Sequence, residues 1–147
     1  MPPVLFDTSI YIGALRSKED AAMQVRRMAG GAPIWLSSVV LEELYAGASG
    51  KAQRAVERLE RDFDRAKRIL VPNKNDWTQT GKALARLAAK YDHEQIGRGR
   101  LTNDALIATS AGRLGITVIT GNNGDYAKLA EFVRFEWRVE AASTRES

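Results

Sequence analysis

Short apolar runs alternate with longer stretches of helical periodicity along this chain. The run "PVLF" at residues 3–6 is apolar throughout and stops at Asp7, the pattern of a buried strand. Residues 8–15 read as a helix capped by Thr8 or Ser9, and residues 18–29 as a second helix ended by Gly30 and Gly31. "PIWLS", 33–37, predicts another strand, after which Ser37 or Ser38 caps the helix "VVLEELYAGA". A long helix is expected over 51–70, stopped by Pro72, and a further one over 75–92, capped at Asn75 or Asp76. Thr102 caps a helix running to Arg113. "GITVIT", 115–120, is rich in β-branched residues and predicts a strand, "DYAKLAE" a short helix and "FVRFEW" a last strand. Residues 141–147 read as a flexible tail behind one domain of residues 1–140.

Several of these strands are continuously apolar, they alternate with helices, and no tight hairpin joins one to the next. That combination predicts an α/β fold with a mainly parallel sheet covered by helices on both faces. The helical pair in 51–92 is inserted between sheet units.

Composition narrows the function classes. The 147 residues are enough for one domain with a sizeable core. No apolar run reaches the length of a membrane span, and the N-terminus carries no basic segment followed by a long apolar one. The chain has no cysteine, which removes disulfides, thiolate metal sites and cysteine nucleophiles and fits a cytoplasmic location. His93, the only histidine, stands in the polar stretch "KYDHEQ" and reads as a surface residue. A Ser-His-Asp triad or a multi-histidine metal site would have to be built around it alone. The formal net charge of +4 modestly favours a polyanionic partner.

The acids carry more information. In an open parallel sheet, functional groups gather at the carboxyl ends of the strands. Asp7 directly follows the first strand, Asp125 trails the strand that ends at Thr120, and Asp104 falls in the first turn of a helix capped by Thr102. Glu43 lies beside the apolar stripe of Val39, Val40 and Leu44. Each has a plainer role taken singly: Asp7 and Asp125 as caps, Asp104 as a complement to the helix dipole, Glu43 as a solvated twin of Glu42. Together they suggest convergence. Two carboxylates about 5 Å apart repel by roughly 3 kcal/mol at an effective dielectric near 20. With no lysine or arginine inside these motifs, either protons or a divalent cation must offset that repulsion. An all-oxygen site suits Mg2+ or Mn2+, and the matching chemistry is phosphodiester hydrolysis.

Four blocks strengthen the reading: "VLFDTSIYIGAL", "LSSVVLEELYAG", "LTNDALIATSAGRLGITVIT" and "TGNNGDY". In this order and spacing, over nearly the full length, they resemble the PIN domain, and in particular the VapC-type ribonuclease toxins of toxin–antitoxin pairs. By that resemblance Asp7 matches the first metal-binding acid, Glu43 the second and Asp104 the third. At the fourth position some relatives carry an aspartate where this chain has Asn122. Here the acid is Asp125, followed by Tyr126 where the family often has phenylalanine. The resemblance thus implies catalytic acids Asp7, Glu43, Asp104 and Asp125, with Asn122 or Asp125 completing the metal site. Thr8, Ser9 and Thr120 would orient the acids through their hydroxyls, or else serve as caps and turn residues. It further implies a three-layer α/β/α sandwich and a Mg2+- or Mn2+-dependent endoribonuclease. A homodimer and inhibition by a VapB-type antitoxin are implied as well.

Arg98 and Arg100, in "GRGR", are candidates for RNA phosphate contacts, against a plain charged loop. Arg54, Arg58, Arg61, Arg65 and Arg68 repeat opposite the stripe Val56, Leu59, Phe63, Ala66 and Leu70. This arginine row reads first as a solvated face, with Glu57–Arg61 and Asp64–Arg68 spaced for surface ion pairs. The competing function is a catalytically weak RNA-binding or protein-interaction module on the same fold. A phosphorelay receiver is weakened because Asp7 stands alone after the first strand. A haloacid-dehalogenase-type phosphatase is weakened by Ser9, where a second aspartate would be needed, and no Walker phosphate loop is present.

Overall fold

The computed structural model describes residues 1–91 and 98–140, with only the backbone of 98–100. His93 and the expected tail at 141–147 therefore lie outside the described residues, as do the side chains of Arg98 and Arg100. The chain runs β1 (Val4–Phe6), α1 (Thr8–Arg16), α2 (Ala21–Ala29), β2 (Ile34–Ser37), α3 (Ser38–Ala46), α4 (Lys51–Arg65) and β3 (Ile69–Leu70). It continues with α5 (Lys74–Lys90), α6 (Arg98–Leu114), β4 (Thr117–Thr120), α7 (Asn123–Leu129) and β5 (Trp137–Val139).

The five strands form one parallel sheet in the order β3-β2-β1-β4-β5. Helices flank it: α1 contacts α2 and α3, α3 contacts α4, α5 contacts α6 and α7, α6 contacts α7, and α3 also contacts α6. Covered strands have no solvated face, so Val4, Leu5 and Phe6 are all buried, as are Val118 and Ile119. The central strand is β1. The chain builds outward from it through β2 and β3, then returns to add β4 and β5 on the other side. The direction of strand order therefore reverses between β1 and β4, and a ligand crevice opens at the carboxyl ends of such a pair.

Several local expectations change. The helix expected over 51–70 ends at Arg65, because Lys67 takes a left-handed backbone with φ of 58°. Ile69 and Leu70 then pair with Leu36 and Ser37 as the edge strand β3, so Pro72 stops no helix. The cap of α5 is Asn73, in a reciprocal capping box with Asp76, rather than Asn75 or Asp76. Helix α2 starts at Ala21, capped by Asp20. Helix α6 begins at Arg98, so Thr102 does not cap it and Asp104 is not in its first turn; the dipole argument for Asp104 lapses. The last strand is Trp137–Val139, not 132–137. On α4 the arginines are exposed, and among the described residues neither Glu57–Arg61 nor Asp64–Arg68 closes an ion pair.

Candidate active site

Asp7 leaves the sheet at the carboxyl end of β1, and its backbone N–H still donates to Ile119 of β4 at 3.0 Å. Its side chain caps α1, accepting from the Ile10 N–H at 3.4 Å, where Thr8 or Ser9 was the expected cap. The Ser9 hydroxyl donates to the same oxygen at 2.6 Å, and the Thr120 hydroxyl, from the end of β4, donates to the other. The carboxylate is 4% exposed. Burial pushes its pKa above the usual carboxylate range, opposed by the hydrogen bonds from Ser9, Thr120 and the backbone. The hydroxyls are themselves fixed: Gly121 N–H donates to Ser9 Oγ at 3.1 Å and Asn122 N–H to Thr120 Oγ1 at 2.9 Å.

Glu43 reaches the same place from α3. Thr8, the residue after Asp7, donates its hydroxyl to Glu43 Oε1. Asn103 Nδ2 donates to Glu43 Oε2 at 3.0 Å and lies 3.3 Å from Glu42 Oε1. Asp104 follows Asn103 on α6, and its Oδ1 accepts from the Tyr126 hydroxyl at 3.5 Å.

Tyr126 ties the three acids together. The side chain is fully buried in α7. Its pKa is held well above the usual phenol value, first by burial, then by the charges of Asp104, Asp7 and Glu43. One hydroxyl thus senses three carboxylates separated by 36 and 61 positions in the chain. Among the described residues, Asp7 and Glu43 have neutral hydroxyl and amide donors and no lysine or arginine at ion-pair distance. Nor are any three acidic, histidine or cysteine side chains among them already grouped tightly enough to enclose an ion.

Asn122 and Asp125 behave differently. Asn122 caps α7, accepting from the Asp125 N–H at 3.3 Å, and its amide donates to Asp125 Oδ2 at 3.0 Å. Asn122 touches the Asp7 network through its backbone N–H on Thr120. Sequence reasoning missed Asn103 and the hydroxyl role of Tyr126. The signal available for Asn103 was its place beside Asp104 in "NDALIA"; for Tyr126 it was the phenol where relatives often have phenylalanine.

No curated protein matches the chain. Among solved structures, it is similar to a chain of DNA-bound VapBC from Salmonella typhimurium, at 24% identity and a TM-score of 0.64, covering 93% of this chain and 98% of that one. It is similar to a chain of the promoter-DNA-bound VapBC2 from Rickettsia felis, at 20% identity and a TM-score of 0.63, covering 94% and 98%. A chain of VapBC-5 from Mycobacterium tuberculosis matches at 22% identity and a TM-score of 0.57, covering 96% and 99%. The PIN domain model matches residues 4–132, and on that match the chain belongs to the PIN domain family.

Proposed function

We propose that the chain is a Mg2+- or Mn2+-dependent endoribonuclease, the toxin of a VapC-type toxin–antitoxin pair, acting in the cytoplasm as a homodimer held inactive by a VapB-type antitoxin. The observation that supports this reading is the linkage of Asp7, Glu43 and Asp104 through neighbouring donors, Thr8 on Glu43 beside Asp7 and Tyr126 on Asp104, at the reversal of strand order. Membership of a nuclease-type family and the VapBC setting of the similar structures support it.

The donor set fits a hard divalent ion. It consists of carboxylate oxygens, with no cysteine in the chain and no histidine among the described residues of the site. Asp7, Glu43 and Asp104 would hold the ion, with Asn122 or Asp125 assisting. When bound, such an ion supplies Lewis acidity toward a phosphoryl oxygen and eases deprotonation of water. The chain's own part is positioning. Ser9 and Thr120 fix both oxygens of Asp7, so its carboxylate cannot rotate away. Thr8 and Asn103 do the same for Glu43. Glu43 is the acid we assign to accept the attacking water's proton, since it lies on a different element from Asp7 and is less buried. Arg98 and Arg100 are proposed to meet RNA phosphates; Arg98→Ala with Arg100→Ala should weaken RNA binding and flatten its salt dependence.

The test is purified protein with Mn2+ and RNA, run beside Asp7→Asn and Asp104→Asn. Cleavage by wild type that is lost in both variants supports the nuclease. RNA binding without cleavage by wild type would favour the second reading, a weakly catalytic binding module. That reading is motivated by the Asn122–Asp125 pair, whose side chains bond each other where a fourth acid is expected. Co-expression with a VapB-type partner should relieve growth arrest caused by the wild-type chain.

A further inference from the structure

We propose that Tyr126 is a positioning residue for the metal-dependent reaction inferred above, its buried phenol holding one oxygen of Asp104. The proposal rests on the nuclease reading.

The ring is fixed from behind. It packs against Phe135 at 6.1 Å and Trp137 at 6.4 Å between centroids, and those two rings stack on each other at 6.4 Å. Tyr126 is fully buried, so the hydroxyl can change its aim only if this aromatic group moves. It lies 3.5 Å from Asp104 Oδ1, a long hydrogen bond with the reach to tighten as Asp104 settles on a ligand. Ring packing alone would be served as well by phenylalanine. The hydroxyl is the atom that needs a reason, because a buried polar group without a use costs stability.

An ordinary phenol is protonated throughout the neutral range, so the Tyr126 hydroxyl can donate there. A neutral donor orients a carboxylate without cancelling its charge. A lysine in the same place would neutralise the pocket and compete with a cation. Partners of this kind are worth about 10–100-fold in metal affinity where they have been removed. The 3.5 Å separation places Tyr126 at the lower end of that range.

The experiment uses the full chain purified metal-free, with Mn2+ as the probe. Free Mn2+ is followed by electron paramagnetic resonance for wild type, Tyr126→Phe and Asp104→Asn, with thermal melts of each. Tyrosine difference absorbance is recorded during each titration. We expect Tyr126→Phe to bind Mn2+ about tenfold more weakly, with a melting temperature close to wild type. Its kcat should fall while KM for RNA stays the same, and the tyrosine difference signal seen in wild type should disappear. Mn2+ affinity within twofold of wild type, or a difference signal that survives in Tyr126→Phe, would overturn the assignment. Asp104→Asn separates the two levels: if it binds Mn2+ as wild type does, the metal-site reading itself falls.

Discussion

Two helical glycines give opposite expectations for the same substitution. Gly81 lies in the interior of α5, exposed, and a Cβ built there meets nothing within 4 Å. Gly112 lies in α6, and a Cβ there would stand 2.3 Å from the Arg134 carbonyl oxygen and 3.1 Å from Phe135 Cβ. Helix propensity alone favours alanine over glycine by about 0.8–1 kcal/mol at either position. For Gly81→Ala that gain stands unopposed. With an unfolding entropy of about 2.1 cal/mol/K per residue, a chain of this size shifts by roughly 3 °C per kcal/mol, so the melting temperature should rise by about 3 °C. For Gly112→Ala the contact is with backbone, which must retreat by about 1 Å to reach an ordinary carbon–oxygen separation. Overpacking of that kind costs about 1–3 kcal/mol, more than propensity returns. The segment pushed is not idle: the Glu136 carbonyl accepts from Val118 N–H at 2.9 Å, and Phe135 packs on Tyr126. Gly112→Ala should therefore melt several degrees lower and weaken Mn2+ binding as well. Calorimetry on the metal-free variants decides it. A Gly112→Ala protein at least as stable as Gly81→Ala would refute the packing argument.

The remaining expectations concern buried polar groups. Arg113 donates from Nε to both Asp76 oxygens at 3.0 and 3.1 Å and from Nη2 to Oδ2 at 2.9 Å, and Asp76 is 1% exposed; Arg113→Met should destabilise by about 2–3 kcal/mol after allowing for the partial exposure of the arginine, seen as a loss of roughly 6–9 °C on melting. The Tyr11 hydroxyl is buried with no hydrogen-bond partner among the described residues, so Tyr11→Phe should stabilise by about 1 kcal/mol, and a lower melting temperature would contradict it. Burial raises the folded-state pKa of Asp7 above its unfolded value, so the stability it contributes is present below the unfolded pKa and is lost as pH rises through the folded one. Asp7→Asn should thus melt higher than wild type at pH 7 in the absence of metal, with the gain shrinking on acidification; a lower melting temperature at pH 7 would count against it.

How much of this was legible in the sequence differs from element to element. β1, β2 and β4 could be read because covered strands are apolar on both faces, and "VLF", "IWL" and "TVI" have no other use for such runs. β3 was hidden because Leu70 continues the helical phase of Val56, Leu59 and Phe63, and a lysine gives no warning of the left-handed turn at Lys67. β5 was misplaced because its residues are half exposed at the sheet edge, while the more apolar Phe132 and Val133 precede it without pairing. Asp7, Glu43 and Asp104 were each visible as acids beside apolar runs. Asn103 and Tyr126 were not visible as members of the site, since an asparagine and an aromatic beside a core helix have ordinary uses. Only the folded arrangement puts their polar atoms on acids. The Asn122–Asp125 pair had a sequence signal, the three-residue spacing of a helix cap, that competed with the metal reading.

The chain buries two aspartates and treats them in opposite ways. Asp76, 1% exposed, receives the forked guanidinium of Arg113 and the Asn73 N–H, so its charge is matched inside the protein. Asp7, 4% exposed, receives the neutral hydroxyls of Ser9 and Thr120 and the backbone N–H groups of Ile10 and Ser9, with no cation at ion-pair distance among the described residues. An acid buried for structure alone is cheapest when a cation accompanies it, and this sequence evidently supplies one where structure is the purpose. Neutral donors fix a carboxylate's direction while leaving its charge uncancelled, and Glu43, held by Thr8 and Asn103, is handled in the same manner. Negative charge that no cation among the described residues matches, oriented at the crevice between β1 and β4, costs the fold stability. A bound cation would recover that cost.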